Sequence, residues 1–375
     1  MKKHYKLQLN TFVKAAALAV LMMVSVLPAA KAQTEDGTSA NPFRIDSKQE
    51  LLDFQTCMNT NVTFYHNGTT FVTTSGSGYV EIRAGGKLPG DVPAHFLLTD
   101  DIVVNEGNVH GCNGVKDSGW DDWSPIKNFN GIFDGDYHTI SGLYCKDATH
   151  TEIGFFSQVS AGQVKNLGVV NSYFMGNGYV GGITGSVAGG GSVSHCFFVG
   201  ALESNGWYCG GIAGLLTNSS VFDCYTTGDI HSTTDFSGGI VGMNETGSAI
   251  QNCYSSAMLS SPSGAKGGIC GGGNGMYSNN YFDVQMTPNG NSVGSSKLTQ
   301  EMTTHAFASL GTSFVSSDGF YPYLSGFAIS SPAVKLSVLP IYLYAENTLN
   351  YESVVDVRTD FTVGTEAGAT WTCTS

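Results

Sequence analysis

Positive charge is nearly missing from the middle of this chain, where only Lys165 and Lys266 are cationic between residues 151 and 290. A nucleic-acid footprint needs clustered Lys and Arg, so no nucleic-acid partner is expected. Apolar runs are also short. After an early stretch from about Ala15 to Leu27 no segment is long enough for a spanning helix. Apolar residues at 3.6-residue spacing are scarce between residues 151 and 290, and glycines interrupt every candidate stretch, which removes amphipathic helices from that region. No His-Glu-x-x-His motif occurs, so the zinc-peptidase arrangement on a helix is absent.

What the chain does have is a recurring phrase. Gly181-Gly182-Ile183, Gly210-Gly211-Ile212, Gly238-Gly239-Ile240 and Gly267-Gly268-Ile269 follow one another at steps of 29, 28 and 29 residues. A period of that size marks a solenoid, whose units are stable only when stacked. A second phrase keeps step with the first: Val164-Lys165-Asn166-Leu167, Val193-Ser194-His195-Cys196, Val221-Phe222-Asp223-Cys224, Ile250-Gln251-Asn252-Cys253 and Ser278-Asn279-Asn280-Tyr281. The first unit keeps the glycine phrase as Gly154-Phe155-Phe156.

Side chains alternate faces along a strand, so Val193 and Cys196, three apart, cannot both point inward from one straight strand. A corner must separate them. The residues before the Cys column (Asn166, His195, Asp223, Asn252 and Asn280) suit it, because Asn and Asp tolerate left-handed backbone. The expected fold is all-β: a parallel β-helix with coils of about 28–29 residues, short capping helices, and a partial C-terminal segment like a β-sandwich. Its ladders are Ile183, Ile212, Ile240 and Ile269, with Cys196, Cys224 and Cys253 as buried thiols rather than bridges. Each buried aliphatic side chain contributes about 1.5–3 kcal/mol. Cys57, Cys112 and Cys145, outside the repeats, are the better bridge candidates.

Five regions follow. Residues 1–32 form a secretory signal peptide, with Lys2, Lys3 and Lys6 before the apolar run and Ala30-Lys31-Ala32 before Gln33, so that cleavage falls between Ala32 and Gln33. Residues 33–150 make an N-terminal cap and first coils, and Ser47-Lys48-Gln49-Glu50 opens a capping helix. Residues 151–290 are the repeats. Residues 291–330 close the stack, with a helix expected over 297–310 from Leu298, Met302, Ala306 and Leu310 at spacing four. Residues 331–375 resemble the start of an immunoglobulin-like β-sandwich too short to be complete, either a truncated domain or strands that another chain would complete.

Taken together, the segments LLTDDI, WSPI, FDGDYHTISGL and VKNLGVVNS, the GGIVG…IQNCYSS units and the closing KLTQEM…FASLG…DGFYPYL resemble the GLUG-repeat family of bacterial exported and surface proteins over roughly residues 43–327. The resemblance implies an adhesin-like role on the cell surface or in the medium, beside a peptidase domain in some members, and no catalytic residues or cofactor for the repeat itself.

On the residues alone, a binding face is expected at Trp207 and Tyr208, with Tyr179 and Phe236 at the matching positions of neighbouring units. An exposed aromatic row stacks on sugars or seats an extracellular protein; the bland alternative is that these rings pack across the coil edge. A glycan-cleaving enzyme, a polysaccharide lyase or glycoside hydrolase, is the alternative function, and it needs converging carboxylates. Those in the repeats are Glu152, Glu203, Asp223, Asp229, Asp235, Glu245 and Asp283, scattered over repeat positions. A spacer role is the third reading, though five coils at ~4.8 Å reach only about 25 Å. Asp134-Gly135-Asp136 is a turn before it is a calcium site.

Overall fold

The structure, a computed structural model, describes residues 35–327 apart from 234–235, 262–265, 288–290, 292, 305–306, 308 and 318–319, together with Tyr342–Leu343 and Val355–Asp356. The signal segment with its Ala32/Gln33 junction, Asp235 and nearly all of the 331–375 segment lie outside the described residues.

The repeats form a parallel β-helix. Each turn contributes to three sheets. One sheet stacks Gln163–Gly176, Phe197–Ser204, Tyr225–Ser232, Tyr254–Ser260 and Tyr281–Asp283. The second stacks Glu152–Ile153, Tyr179–Gly181, Tyr208–Gly210, Phe236–Gly238 and Lys266–Gly267. The third stacks Phe156–Ser160, Thr184–Ala188, Ala213–Thr217, Val241–Asn244 and Cys270–Gly272. Before the repeats, His95–Leu98 and Ile132–Ser141 extend the first sheet in the same parallel sense.

The corner before the Cys column is real, and it is left-handed: φ is 54° at Asn166, 51° at His195, 52° at Asp223 and 51° at Asn252. In the last coil the corner falls on Asn279 (φ 54°), not on Asn280. Tyr281 then pairs with Tyr254, and Asn280 takes the place of the cysteine, its side chain accepting from the Cys253 N–H at 3.0 Å. The last step is one residue shorter because an adjacent Asn pair offers the corner two equivalent residues.

Ile183, Ile212, Ile240 and Ile269 are wholly buried, and each of the first three donates its N–H to the next in the column. Val164, Val193, Val221 and Ile250 form a second buried column. The two glycines before each Ile have separate reasons. The first faces backbone on two sides: a β-carbon on Gly210 would lie 2.1 Å from the Ala213 carbonyl oxygen of its own coil and 2.4 Å from the Gly242 nitrogen of the next. The second faces an inward side chain of the first sheet, Phe198, Thr226, Ser255 and Phe282 in turn.

The N-terminal end is plugged by a helix, α1 (Lys48–Asn59), whose first turn is capped by Ser47 accepting from the Glu50 N–H. The Glu50 carboxylate takes the N–H of Asp46 rather than of Ser47. Leu51 and Phe54 are fully buried, with the Phe54 ring 4.6 Å from Phe96 and 6.1 Å from Phe133.

The expected helix over 297–310 is one turn, α2 (Thr299–Met302). Two successive threonines end it by turning their hydroxyls onto carbonyls of that turn, Thr303 onto Thr299 at 2.9 Å and Thr304 onto Glu301 at 3.3 Å. The chain then runs back over the outside of the first sheet as a strap. Met302, Phe307, Leu310, Tyr321, Leu324 and Phe327 cover Phe197, Tyr225 and Tyr254, whose rings stack at 4.8 and 5.1 Å within 6° of parallel.

Candidate functional site

The aromatic row sits on the second sheet. Along its strands Ile153, Val180, Cys209 and Ser237 point inward and are fully buried, so their predecessors Glu152, Tyr179, Tyr208 and Phe236 form one outward column in register. Tyr179 and Tyr208 stack at 5.3 Å and 8°, while Tyr208 and Phe236 are tilted at 5.9 Å. Rings stacked face to face have spent those faces on each other. Phe236 lies across Gly272, where a β-carbon would come within 2.7 Å of its ring. The column is therefore largely a packed seam, half-buried at Tyr179, Tyr208 and Phe236.

Trp207 differs. It is 51% exposed, tilted 45° to Tyr179 at 5.6 Å, and so presents an open indole face. Its position is fixed by the turn before it: Asn205 donates to the Gly176 carbonyl at 3.0 Å, and a β-carbon on Gly206 would strike the Asn177 carbonyl oxygen at 2.1 Å. Only glycine lets the chain lie this close and hold the indole outward.

Beside the Glu152 end of the column is a cleft of about 500 Å³, lined in part by Asp122, Lys127, Lys146, Asp147, His150 and Glu152. It forms where residues 122–128 bridge onto the first repeat, with Ile126 paired to Phe156 and Phe129 to Val159. Trp123 is buried beneath, stacked on Phe155 at 5.1 Å with its indole N–H on the Phe155 carbonyl. The register pairs Ile153 with Val180 and Phe156 with Thr184, so the first repeat is one residue short and Phe155 alone spans the place of Gly182 and Ile183, a correction to the match of Gly154-Phe155-Phe156 with Gly-Gly-Ile.

Burial pushes the Glu152 carboxyl above the ordinary range, against hydrogen bonds from Ser186 at 2.6 Å and Gln158 at 3.4 Å. Asp147 behaves oppositely. Burial would raise it, but donors from Thr149 and His150 outweigh that and hold it far below the usual carboxylate range. They close a loop on it: Thr149 N–H at 2.8 Å, Thr149 hydroxyl at 2.6 Å and His150 N–H at 3.1 Å, with the His150 ring on the other oxygen. Asp122 pairs with Lys116 at 2.7 Å.

The repeat carboxylates stay apart. Glu245 accepts from Thr217 at 2.8 Å, and Asp229 is exposed on the first sheet. Asp283 is fully buried and binds the Thr299 hydroxyl at 2.5 Å, the Gln285 N–H at 2.8 Å and the Tyr321 hydroxyl, which ties the strap to the last coil. Glu203 lies near Tyr173, raising its phenol further beyond what burial alone does. Asp223 lies 3.4 Å from His195 Nε2, and Ser313 Oγ is 3.1 Å from Asp223 and 3.3 Å from the same His195 nitrogen. A nucleophile triad needs the Asp on the other ring nitrogen, so these three residues join the strap to the corner instead.

Asp134 of the Asp-Gly-Asp segment accepts from the Asp136 N–H at 3.0 Å and pairs with Lys165 at 2.9 Å, a closed turn. Among the described residues no group of three or more His, Cys, Asp or Glu is arranged to hold a metal ion. Cys57, Cys112 and Cys145 are free, as are Cys196, Cys209, Cys224, Cys253 and Cys270. No described helix is long and apolar enough to cross a membrane.

The cleft was not legible as a site in the sequence; the Asp147-to-His150 turn was its only local signal. No family model matches this chain, and no curated protein matches it in sequence. Among solved structures, the crystal structure described as a "putative immunoglobulin A1 protease" from Bacteroides ovatus is similar with a TM-score of 0.53 at 19% identity, over 78% of this chain and 95% of that one. A likeness at that identity concerns the fold.

Proposed function

We propose that this chain is a binding module of an exported, surface-displayed protein of the GLUG-repeat kind, and that it holds glycans by stacking on Trp207. The observation that carries this is the exposed indole of Trp207, held beside the packed column of Tyr179 and Tyr208, whose other end, at Glu152, borders a polar cleft. Small concave sites with one apolar platform and a few fixed polar groups suit sugars, which have an apolar ring face and a hydroxyl rim. The module works without chemistry of its own, and the signal segment before Gln33 exports it.

The test is a glycan and extracellular-matrix array probed with the chain from Gln33 onward beside Trp207→Ala. Specific binding lost in the variant while the melting temperature holds supports the reading; binding that survives the substitution defeats it.

A second reading has its own support. Asp122, Asp147 and Glu152 line one cleft, and a carboxyl raised by burial suits a general acid. Against it, Asp147 is engaged by four donors in its own loop. New reducing ends after incubation of an array ligand with the protein, lost in Glu152→Gln, would establish hydrolysis instead of binding alone.

A further inference from the structure

We propose that Glu152 is the polar anchor of a pyranose subsite, at which vicinal hydroxyls of an uncharged sugar donate to its carboxylate while a later residue of the same glycan stacks on Trp207. This rests on the glycan-binding reading above and names the ligand class for it.

Two independent features place Glu152 at this post. It heads the outward column that continues through Tyr179 to Tyr208, and it also lines the cleft. Neighbouring strands are ~4.8 Å apart, so Glu152 and the Trp207 turn lie two coils, or about 10 Å, apart along the solenoid axis. That is the reach of a short oligosaccharide laid along the axis, with one end in the cleft.

The carboxylate is pre-set for the task. Ser186 and Gln158 both donate to Oε1, and Gln158 Nε2 is also 3.3 Å from Ser186 Oγ, so the side chain is braced by a closed set of three. Oε2 takes no hydrogen bond among the described residues. A braced acceptor in a half-buried setting favours a ligand that brings donors, because leaving it unmatched under a bound ligand costs more than the bond gains. Paired hydroxyls of a sugar ring supply them with charge-assisted strength.

The surroundings select against charged sugars. Lys127 and Lys146 offset two of the three carboxylates around the cleft, Asp122, Asp147 and Glu152, so no strong field of one sign draws a uronic acid or an amino sugar. Hydroxyl pattern, rather than charge, discriminates.

The experiment uses unbranched tetrasaccharides of glucose, xylose and N-acetylglucosamine, with galacturonic acid and glucosamine tetramers as charged counterparts. Each is titrated calorimetrically into the chain from Gln33 onward and into Trp207→Ala and Glu152→Gln. The expected result is binding of a neutral tetramer, abolished by Trp207→Ala and weakened about tenfold or more by Glu152→Gln. Loss in Trp207→Ala with unchanged affinity in Glu152→Gln overturns the anchor and leaves the glycan reading standing. No binding of any tetramer, or binding indifferent to Trp207, overturns both. Preference for a charged tetramer overturns the ligand class. Carbodiimide labelling of Glu152 in the unmodified protein, read by mass spectrometry, gives a check that needs no variant: protection by the neutral tetramer is expected, and equal labelling with and without it overturns the proposal.

Discussion

A β-carbon placed on Gly182 would lie 2.2 Å from Cγ of Phe198. The inward ring of one sheet thus fills the space that the second glycine of the repeat leaves open on another, and the same relation joins Gly211 to Thr226, Gly239 to Ser255 and Gly268 to Phe282. The Gly-Gly-Ile phrase is half of a packing pair whose other half lies about sixteen residues downstream in the same coil.

Gly182→Ala is accordingly expected to destabilise the protein through overpacking by about 1–3 kcal/mol, and by more if the Gly211 carbonyl, 2.6 Å from the new carbon, cannot move. Gly119→Ala is the control, since its nearest neighbour would be Asp117 Oδ1 at 3.6 Å. Urea unfolding of both variants beside the parent chain decides it: equal midpoints for Gly182→Ala and Gly119→Ala would mean that the close approach is relieved at no cost.

The coil architecture was readable because every constraint recurs. Val193, His195 and Cys196 have counterparts at the same offsets in other units, and only a corner at His195 lets both flanking residues point inward. The last coil misled for a local reason, the adjacent Asn279 and Asn280. The strap was unreadable on other grounds: Phe307, Tyr321 and Phe327 match a surface, the stacked Phe197, Tyr225 and Tyr254, which has no sequence period shared with residues 298–327. The cleft is hidden for the same reason, since Asp122 and Glu152 meet only through the bridges at Ile126 and Phe129. In the aromatic row the spacing located Tyr179, Tyr208 and Phe236 correctly but could not say that their faces are turned on one another.

The thiols give a second prediction. Burial pushes the Cys57 and Cys270 thiols up to about 11 and Cys145 up to about 12. Cys224 is driven well above the ordinary thiol range by burial and by Cys196 and Cys253 on either side. Thiolate is the reactive species, which disfavours Cys224, and Cys196, Cys224 and Cys253 are all wholly buried, so native protein should leave the three unlabelled by maleimide at neutral pH, and all three should label in guanidinium chloride. Peptide mapping by mass spectrometry reads this directly. Labelling of Cys224 in native protein would show that the ladder opens, and a disulfide in the mapped peptides would contradict the free thiols.

The last prediction concerns acid. Burial pushes the His66 imidazole down to about 4, and Glu35 Oε2 lies 3.5 Å from its Nε2. An unfolded histidine takes a proton near pH 6.5. Between those values the unfolded chain binds more protons than the folded one, so stability falls as pH falls. At about 1.4 kcal/mol per unit the loss from pH 6.5 to 5 is about 2 kcal/mol. The Glu35 carboxyl, raised mainly by burial, works the other way. It takes its proton earlier in the folded state and returns part of the loss at the acid end. The net decline is therefore smaller than His66 alone would give. Urea midpoints at pH 7.5, 6.5, 5.5 and 5.0 should fall steadily for the parent chain and fall clearly less for His66→Gln, in which His95, also lowered by burial, still contributes. A parent chain as stable at pH 5 as at pH 7.5 would mean that Glu35 protonates His66 within the fold and holds it as an ion pair.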